Sequence, residues 1–420
     1  MTPRERLAGW LAHRAVRLLT AAQSAFLRLP RRRSRAASVG EGLDVLLTGT
    51  FHSEAWLRAH LVPLAASKAC ARVRVVSNDP VPRLDKVEWV RPPTRAARWF
   101  GRAPTRLAVF AREALLRRPH VVGAFHLLLN GLVAVALARL TGSRSLYFCV
   151  GGTAEVDEGG RHGENRLFSL VPGPDPVVER RLLRAVQAAD LVVTMGTGAR
   201  RSFEARGVRT TICVNGGGID ATRFDPPPPG ARPDFDFVFV GRLVPIKQVD
   251  LLLAALAIVA EERPATRAAI IGDGPLRPAL EREAVRLGLA DRVCFAGRQE
   301  QVADWLRRSR VFVLTSQSEG LPLSAIEAMM CGLPVVAPRV GDLADLVTEG
   351  VNGHLIGDRR PASFAAAMAA LVADEVRWRA ASSEARRSAA RYSIPEAVAR
   401  WDVALAALAG DPQQRGRGPA

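Results

Sequence analysis

The chain has 420 residues, 48% hydrophobic and 24% charged, which is too apolar for a disordered polymer and long enough for two domains with separate cores. Its formal net charge of +18 is one-sided: residues 1–231 hold 35 Lys+Arg against 18 Asp+Glu, and residues 232–390 hold 20 against 20. Five scattered cysteines, odd in number and without paired metal-type spacing, argue against a disulfide framework and fit reduced thiols in a cytoplasmic compartment.

Residues 1–38 read as a basic extension. In MTPRERLAGWLAHRAVRLLTAAQSAFLRLPRRRSR the arginines interrupt the apolar positions too often for a secretory leader. Leu7, Trp10, Leu11, Val16, Leu18, Leu19 and Phe26 leave an amphipathic helix that either lies in a membrane interface or docks on its own domain. Short apolar runs then alternate with helical patterns: LDVLLTG (43–49), VRVVS (73–77), HVVGAF (120–125), SLYFCV (145–150), DLVVTMG (190–196) and TTICVNG (210–216). Between them, residues 91–119 hold eight arginines and one acid, with Trp99 and Phe100 interleaved, a surface suited to anionic lipid. The uncharged run 121–138 has the length of a membrane span, but His126, Asn130, Gly123 and Gly131 inside it point to a buried strand followed by a buried helix.

Proline lacks the donor that helix and central strand both need, so DPPPPGARPD (225–234) reads as a semi-rigid linker. A second series of strands follows: FDFVFVG (235–241), AAIIGDG (268–274), RVCFAG (292–297), VFVLTS (311–316) and PVVAP (334–338). Continuous apolar strands separated by helices imply parallel sheets covered on both faces. The expected fold is α/β, with two doubly wound Rossmann-like domains (39–224 and 235–392) facing across a cleft and ligand at the carboxyl ends of the strands. A helix over 393–410 and a disordered tail over 411–420 close the chain.

Two carboxylates, Glu319 and Glu327, flank the otherwise small or apolar stretch TSQSEGLPLSAIEAMMCGLPVVAP (315–338). Ser324 and Glu327 are spaced as a capping box, and Gly332-Leu333-Pro334 stops a helix expected over 325–331. That accounts for Glu327 and leaves Glu319 in a Gly-Pro loop after a strand, beside amides that can face an anion.

The run EGLPLSAIEAMMCGLPVVA, followed by VGDLADLV and EGVNGHLI, closely resembles the E-x7-E signature of retaining GT-B glycosyltransferases, family four (glycosyl transferases group 1). The resemblance implies that Glu319 contacts the donor sugar and that Glu327 holds the ribose, with Gly320, Leu321, Pro322 and Leu323 lining the donor site. VFVGRLVPIKQVDLLLAAL (238–256) is similar to the family's G-R-L-x-x-x-K-x-x-D segment, which assigns Gly241 to the donor site and Arg242 and Lys247 to the diphosphate. Lys247 is one of only three lysines, in a chain that writes its other basic residues as arginine. A compact ammonium suits a leaving phosphate better than a planar guanidinium does. In IIGDGPLRPALE (270–281), Gly272 and Gly274 would let backbone approach the nucleotide, and the loop at Arg298 is where the family grips the base.

The first half matches in outline only. No histidine follows the strand SLYFC, where the family often has one; Val150-Gly151-Gly152-Thr153 stands there. The loop GGTAEVDEGGRHGENRLF (151–168) is read as facing the acceptor, with Gly151, Gly152, Glu155 and His162 as candidate contacts and Glu164 and Asn165 nearby. His126, at the end of HVVGAF, either faces the cleft or is a satisfied core histidine, the second reading being preferred. In VNGGGID (214–220) an added glycine pair, Gly217-Gly218, points to a pliable turn between the domains. Together these readings imply transfer of a sugar from a UDP- or GDP-linked donor to a glycan or polyprenyl-linked acceptor, with no metal and no cofactor. The protein would act in the cytoplasm, peripherally on the inner face of the cell membrane. An epimerase or hydrolase could share the donor half. A nucleic-acid binder would need a recognised motif or stacking sheet, and none is present.

Overall fold

The computed structural model describes residues 3–28, 30–32, 42–51, 53–163, 165–228 and 230–410. The expectations for the 411–420 tail, for Glu164 and for the arginines at 33 and 35 lie outside the described residues. Two compact units form: Met1–Gly218 with Ile394–Ala420, and Ile219–Ser393. The division thus falls upstream of the proline run, and the final helix returns to the first unit.

In the first unit α1 (Pro3–Phe26) precedes β1 (Leu43–Thr48), α2 (Glu54–Ala66), β2 (Cys70–Val76) and β3 (Val87–Val90). There follow α3 (Thr94–Phe100), α4 (Arg102–Arg117), β4 (Val121–Phe125), α5 (Leu132–Thr141) and β5 (Arg144–Cys149). The unit continues with α6 (Arg166–Ser169), α7 (Pro176–Gln187), β6 (Leu191–Thr194), α8 (Thr197–Ala205) and β7 (Thr211–Val214). Among the described residues these strands make a seven-stranded parallel sheet, ordered β3-β2-β1-β4-β5-β6-β7. The strand order reverses between β1 and β4, so a crevice is expected outside their carboxyl ends. β3, VEWV, escaped the sequence reading because it is a half-exposed edge strand without a continuous apolar run.

The uncharged run 121–138 is strand β4, a π turn (Leu127–Gly131) and the start of α5. No described helix is long and apolar enough to cross a membrane. α1 docks on its own unit by one face: Ala12, Val16 and Thr20 are buried. Asp175, the N-cap of α7, accepts from His13 Nε2 at 2.7 Å, Arg17 Nε at 2.6 Å and the amides of Val177 and Val178. Burial alone would raise the pKa of Asp175, but the bonds from Arg17, His13 and the two amides outweigh it and hold the carboxyl below its usual range.

The glycine pair is not a pliable turn. A Cβ on Gly217 would meet the Ala59 carbonyl oxygen and the His60 ring, and one on Gly218 would lie 2.9 Å from Ile394 Cα. These glycines serve close packing within the first unit. They stand against α2 and the returning α15 (Ile394–Ala409), whose Trp401 is buried beside Phe148.

The second unit runs β8 (Phe235–Val240), α9 (Val249–Glu262), β9 (Ala268–Ile271), α10 (Arg277–Arg286), β10 (Val293–Gly297) and α11 (Val302–Arg307). It continues β11 (Ser309–Val313), α12 (Leu323–Met330), β12 (Val335–Pro338), β13 (Gly353–Ile356), α13 (Pro361–Ala373) and α14 (Glu375–Ala389). Its described strands form a six-stranded parallel sheet in the order β10-β9-β8-β11-β12-β13, reversing between β8 and β11. β13 was also missed, because GHLI is short and opens on a glycine at φ +156.

Candidate active site

The loops after β8 and β11 leave neighbouring strands at the point where the strand order of the second sheet reverses. The β8 loop carries Gly241, Arg242 and Lys247, and the β11 loop carries Glu319 through Leu323. Their backbones are tied together: the Gln317 amide donates to Ile246 O at 2.7 Å, and Thr315 Oγ1 donates to Lys247 O and Gln248 O at 3.1 and 2.8 Å. Across the junction Lys247 Nζ bonds Glu319 Oε1 at 2.6 Å, with side chains 19% and 9% exposed. Arg242 is exposed and its side chain has no ion-pair partner among the described residues. One edge of this unit therefore presents a paired ammonium and carboxylate with an open guanidinium close by in sequence.

Three further residues brace the pair, and sequence reasoning did not single them out. The Arg359 guanidinium donates to Thr315 O at 2.8 Å, to Ser316 O at 3.2 Å and to Gln248 Oε1. Gln248 itself holds a left-handed φ of +44 before α9 begins. Gly341, at φ +56, lies so close to the β11 loop that a Cβ would stand 1.8 Å from Glu319 O. Only Gly341 had a signal, the VGD following strand β12. Arg359 is one arginine among many, and Gln248 sits in no recognisable turn motif.

The glycines of the β8–β10 edge are explained by each other. Gly272, at φ +135, would place a Cβ 1.9 Å from Gly241 O, and one on Gly274 would lie 2.4 Å from Leu243 O. Gly241 N donates to Ile271 O at 2.9 Å and Gly272 N to Gly297 O at 2.8 Å, stitching three adjacent strand ends together. Their first need is therefore backbone against backbone. Arg298 follows Gly297 and is exposed.

The helix after Glu319 starts earlier than expected. α12 opens at Leu323 with Pro322 as N-cap and no side-chain cap, so Ser324 lies in its first turn and the capping-box reading fails. Proline at the cap fixes the extended entry, which leaves first-turn amides beside the Glu319 loop as a site for negative charge. Glu327, inside this helix and half-buried, has its carboxyl pushed up to about 7 by burial, against an opposing pull from Arg223.

The acceptor candidates of the first unit divide into an inward pair, Glu155 and Gly151, and an outward pair, Gly152 and His162. Glu155 is buried and fully engaged: Oε1 accepts from Gly151 N at 2.8 Å and meets His126 Nδ1 at 3.0 Å, while Oε2 accepts from Tyr147 Oη at 2.9 Å and from Leu127 N. It fixes the turn after β4 instead of facing solvent, and Gly151 is one of its partners. His162 is exposed and bonds Glu158 Oε2 at 3.1 Å. Gly152, at φ +61, has open space where a Cβ would point. His126, held by Glu155 at φ +65, is largely buried at the carboxyl end of β4. Among the described residues no group of three or more His, Cys, Asp or Glu is placed to hold a metal; Asp234 pairs with Arg308 and Asp236 accepts from the Arg267 amide.

Residues 234–374 match the family described as Glycosyl transferases group 1. A D-inositol 3-phosphate glycosyltransferase of Thermobispora bispora is 35% identical over 257 residues, 55% of this chain and 60% of that relative, so the match spans less than two thirds of its length. Among solved structures, Anabaena HepE in complex with UDP superposes with a TM-score of 0.66 at 19% identity, covering 87% of this chain and 100% of that one. Sucrose-phosphate synthase of Thermosynechococcus elongatus gives 0.67 at 19% identity, with 85% and 97% covered. At such identity the likeness is one of fold. The two parallel Rossmann-like sheets are thus of GT-B type, and the likeness to the Glycosyl transferases group 1 model falls within the second unit.

Proposed function

We propose that the chain is a retaining glycosyltransferase that moves a sugar from a UDP- or GDP-linked donor to a hydroxyl of a glycan or lipid-linked acceptor. The observation that carries this reading is the Lys247–Glu319 pair at the carboxyl edge of β8 and β11. A sugar-linked diphosphate meeting it finds a cation for phosphate oxygens and a carboxylate for a sugar hydroxyl within one hydrogen bond of each other. As the donor bond breaks, charge develops on the leaving diphosphate. Lys247, Arg242 and the α12 first-turn amides stabilise that charge without a metal. Glu327 accepts from the ribose, and Gly241, Gly272, Gly274 and Arg298 line the nucleotide.

The decisive assay incubates the protein with labelled UDP- and GDP-sugars, with and without membrane extract, and with D-inositol 3-phosphate, the acceptor type that the Thermobispora relative's name implies. Transfer to an added acceptor, undiminished by EDTA, supports the reading. Release of free sugar without acceptor would make it a hydrolase, and conversion of the donor sugar in place an epimerase.

The basic first unit is read as resting on anionic lipid at the cytoplasmic face of the membrane, in service of polysaccharide or glycolipid synthesis. Its support is the elbow between α3 and α4, where Trp99 is 87% exposed and Phe100 stands beside it amid Arg95, Arg98 and Arg102. Aromatic rings flanked by arginines suit a bilayer interface.

A further inference from the structure

A groove opens between the C-terminal half of α1 and the outer face of α5. One part, of about 500 Å³, is lined by Leu18, Leu19, Ala22, Phe26, Ala136 and one polar residue, Gln23, whose Nε2 is buried without a hydrogen-bond partner. A second part, of about 180 Å³, shares Leu19, Gln23 and Ala136 with it and continues along Leu129, Val133 and Leu137. Ala12, Val16, Thr20 and the Asp175 bonds hold α1 from one side, and Leu19 packs beside Val16 at the edge of the groove, so the surface left over is that of Leu18, Ala22 and Phe26. Leu18 is 72% exposed, and Leu7, Trp10 and Leu11 continue the same apolar exposure along α1. A helix that has already buried one face ordinarily carries polar residues on the others.

Charge identifies the occupant. Arg6, Arg14, Arg17, Arg28 and Arg32 stand exposed along α1 and just past its end, and Glu5 is the one acid in the helix. Arg14 lies over the Trp10 ring at 4.3 Å, an arrangement that keeps the cation beside the apolar face. A second copy of the chain would set arginines against arginines, whereas an anionic amphiphile would meet both the groove and its rim. The inner end is also placed for function: Leu129 belongs to the π turn that follows His126 at the carboxyl end of β4, where a doubly wound sheet takes its ligands.

We propose that the α1–α5 groove takes up a hydrocarbon chain of an anionic bilayer lipid, with Arg6, Arg14 and Arg28 at the headgroup phosphates. This rests on the membrane reading given above and specifies it. The test uses the full chain with vesicles of phosphatidylcholine alone, or mixed with phosphatidylglycerol carrying a photoactivatable acyl chain. The expected result is sedimentation with the anionic vesicles only, and adducts within residues 18–26 and 129–137. Leu18→Asp, at an exposed position, should lower the partition about tenfold or more, the effect of one leucine's transfer from water, with circular dichroism and nucleotide binding unchanged. Adducts confined to other segments, or an undiminished Leu18→Asp partition, would overturn the groove while leaving membrane binding standing. Failure of the unaltered chain to sediment with anionic vesicles would overturn both. Lipid-independent dimers that Leu18→Asp dissolves would assign the groove to a second copy instead.

Discussion

Lys247 and Glu319 neutralise one another across 2.6 Å, so each holds the other in position before any donor arrives. Truncating the lysine removes the cation and leaves a largely buried carboxylate without its partner. Lys247→Ala should therefore lose roughly 10²–10³-fold in turnover, the usual loss for one transition-state stabiliser, measured by steady-state transfer; near-normal turnover would remove Lys247 from the chemistry. Glu319→Ala should impair use of the sugar-linked donor more than binding of the bare nucleoside diphosphate, and equal losses in calorimetry would move Glu319 to the nucleotide. Glu327 offers a pH signature. Its folded carboxyl sits near 7, above the ordinary 4.5, so the stability gained from holding the proton is present at low pH and lost as pH rises through about 7. A ribose that donates to the ionised form pulls the other way. Nucleotide affinity should rise between pH 6 and 8, and Glu327→Gln should flatten that slope; a flat slope in the unaltered chain would contradict the ribose role.

Strand and helix boundaries explain which of these residues the sequence disclosed. Lys247, Arg242 and Glu319 stood out because the loops that carry them follow the continuous apolar runs of β8 and β11 and resemble the family's motifs. Gly341 and Arg359 did not, since each acts by touching a loop distant in sequence, and spacing along the chain carries no trace of that contact. Glu155 misled for the opposite reason. A carboxylate in a glycine-rich loop looks exposed, but it folds inward to satisfy the Leu127 and Gly151 amides, which would otherwise be buried without acceptors. α1 was legible as amphipathic and basic, but its anchor was not, because Asp175 lies far away at the N-cap of α7. Asp175→Ala removes a helix cap, worth about 1 kcal/mol, together with the bonds to His13 and Arg17. Hydrogen exchange over residues 3–28 should speed up selectively, and uniform exchange across the first unit would show that α1 is held by other means.

Both sheets could be read from the alternation of apolar runs and helical patterns, and their division only approximately. The proline run marked a break, but the packing boundary is set by Gly217 and Gly218, which need room that only a missing side chain provides. The stability of the first unit should carry a distinctive acid limb. His60 is buried beside Trp56 and Phe125, and burial lowers its pKa from 6.5 to about 3. The unfolded chain takes up this proton below about pH 6.5 and the folded chain does not, so stability is full above that pH and falls as pH drops toward 3. Thermal unfolding between pH 7 and 4 should show the loss, and His60→Phe should reduce it; an unchanged slope would mean that the ring protonates in place. Binding of a sugar-linked diphosphate by the second unit is what every proposed role of Lys247, Glu319 and Glu327 requires. Isothermal titration of UDP, GDP and their sugar conjugates into the unaltered chain and into Lys247→Ala tests this most directly. At least one should bind the unaltered chain and bind the variant tenfold or more weakly; no heat from any of them would contradict the account.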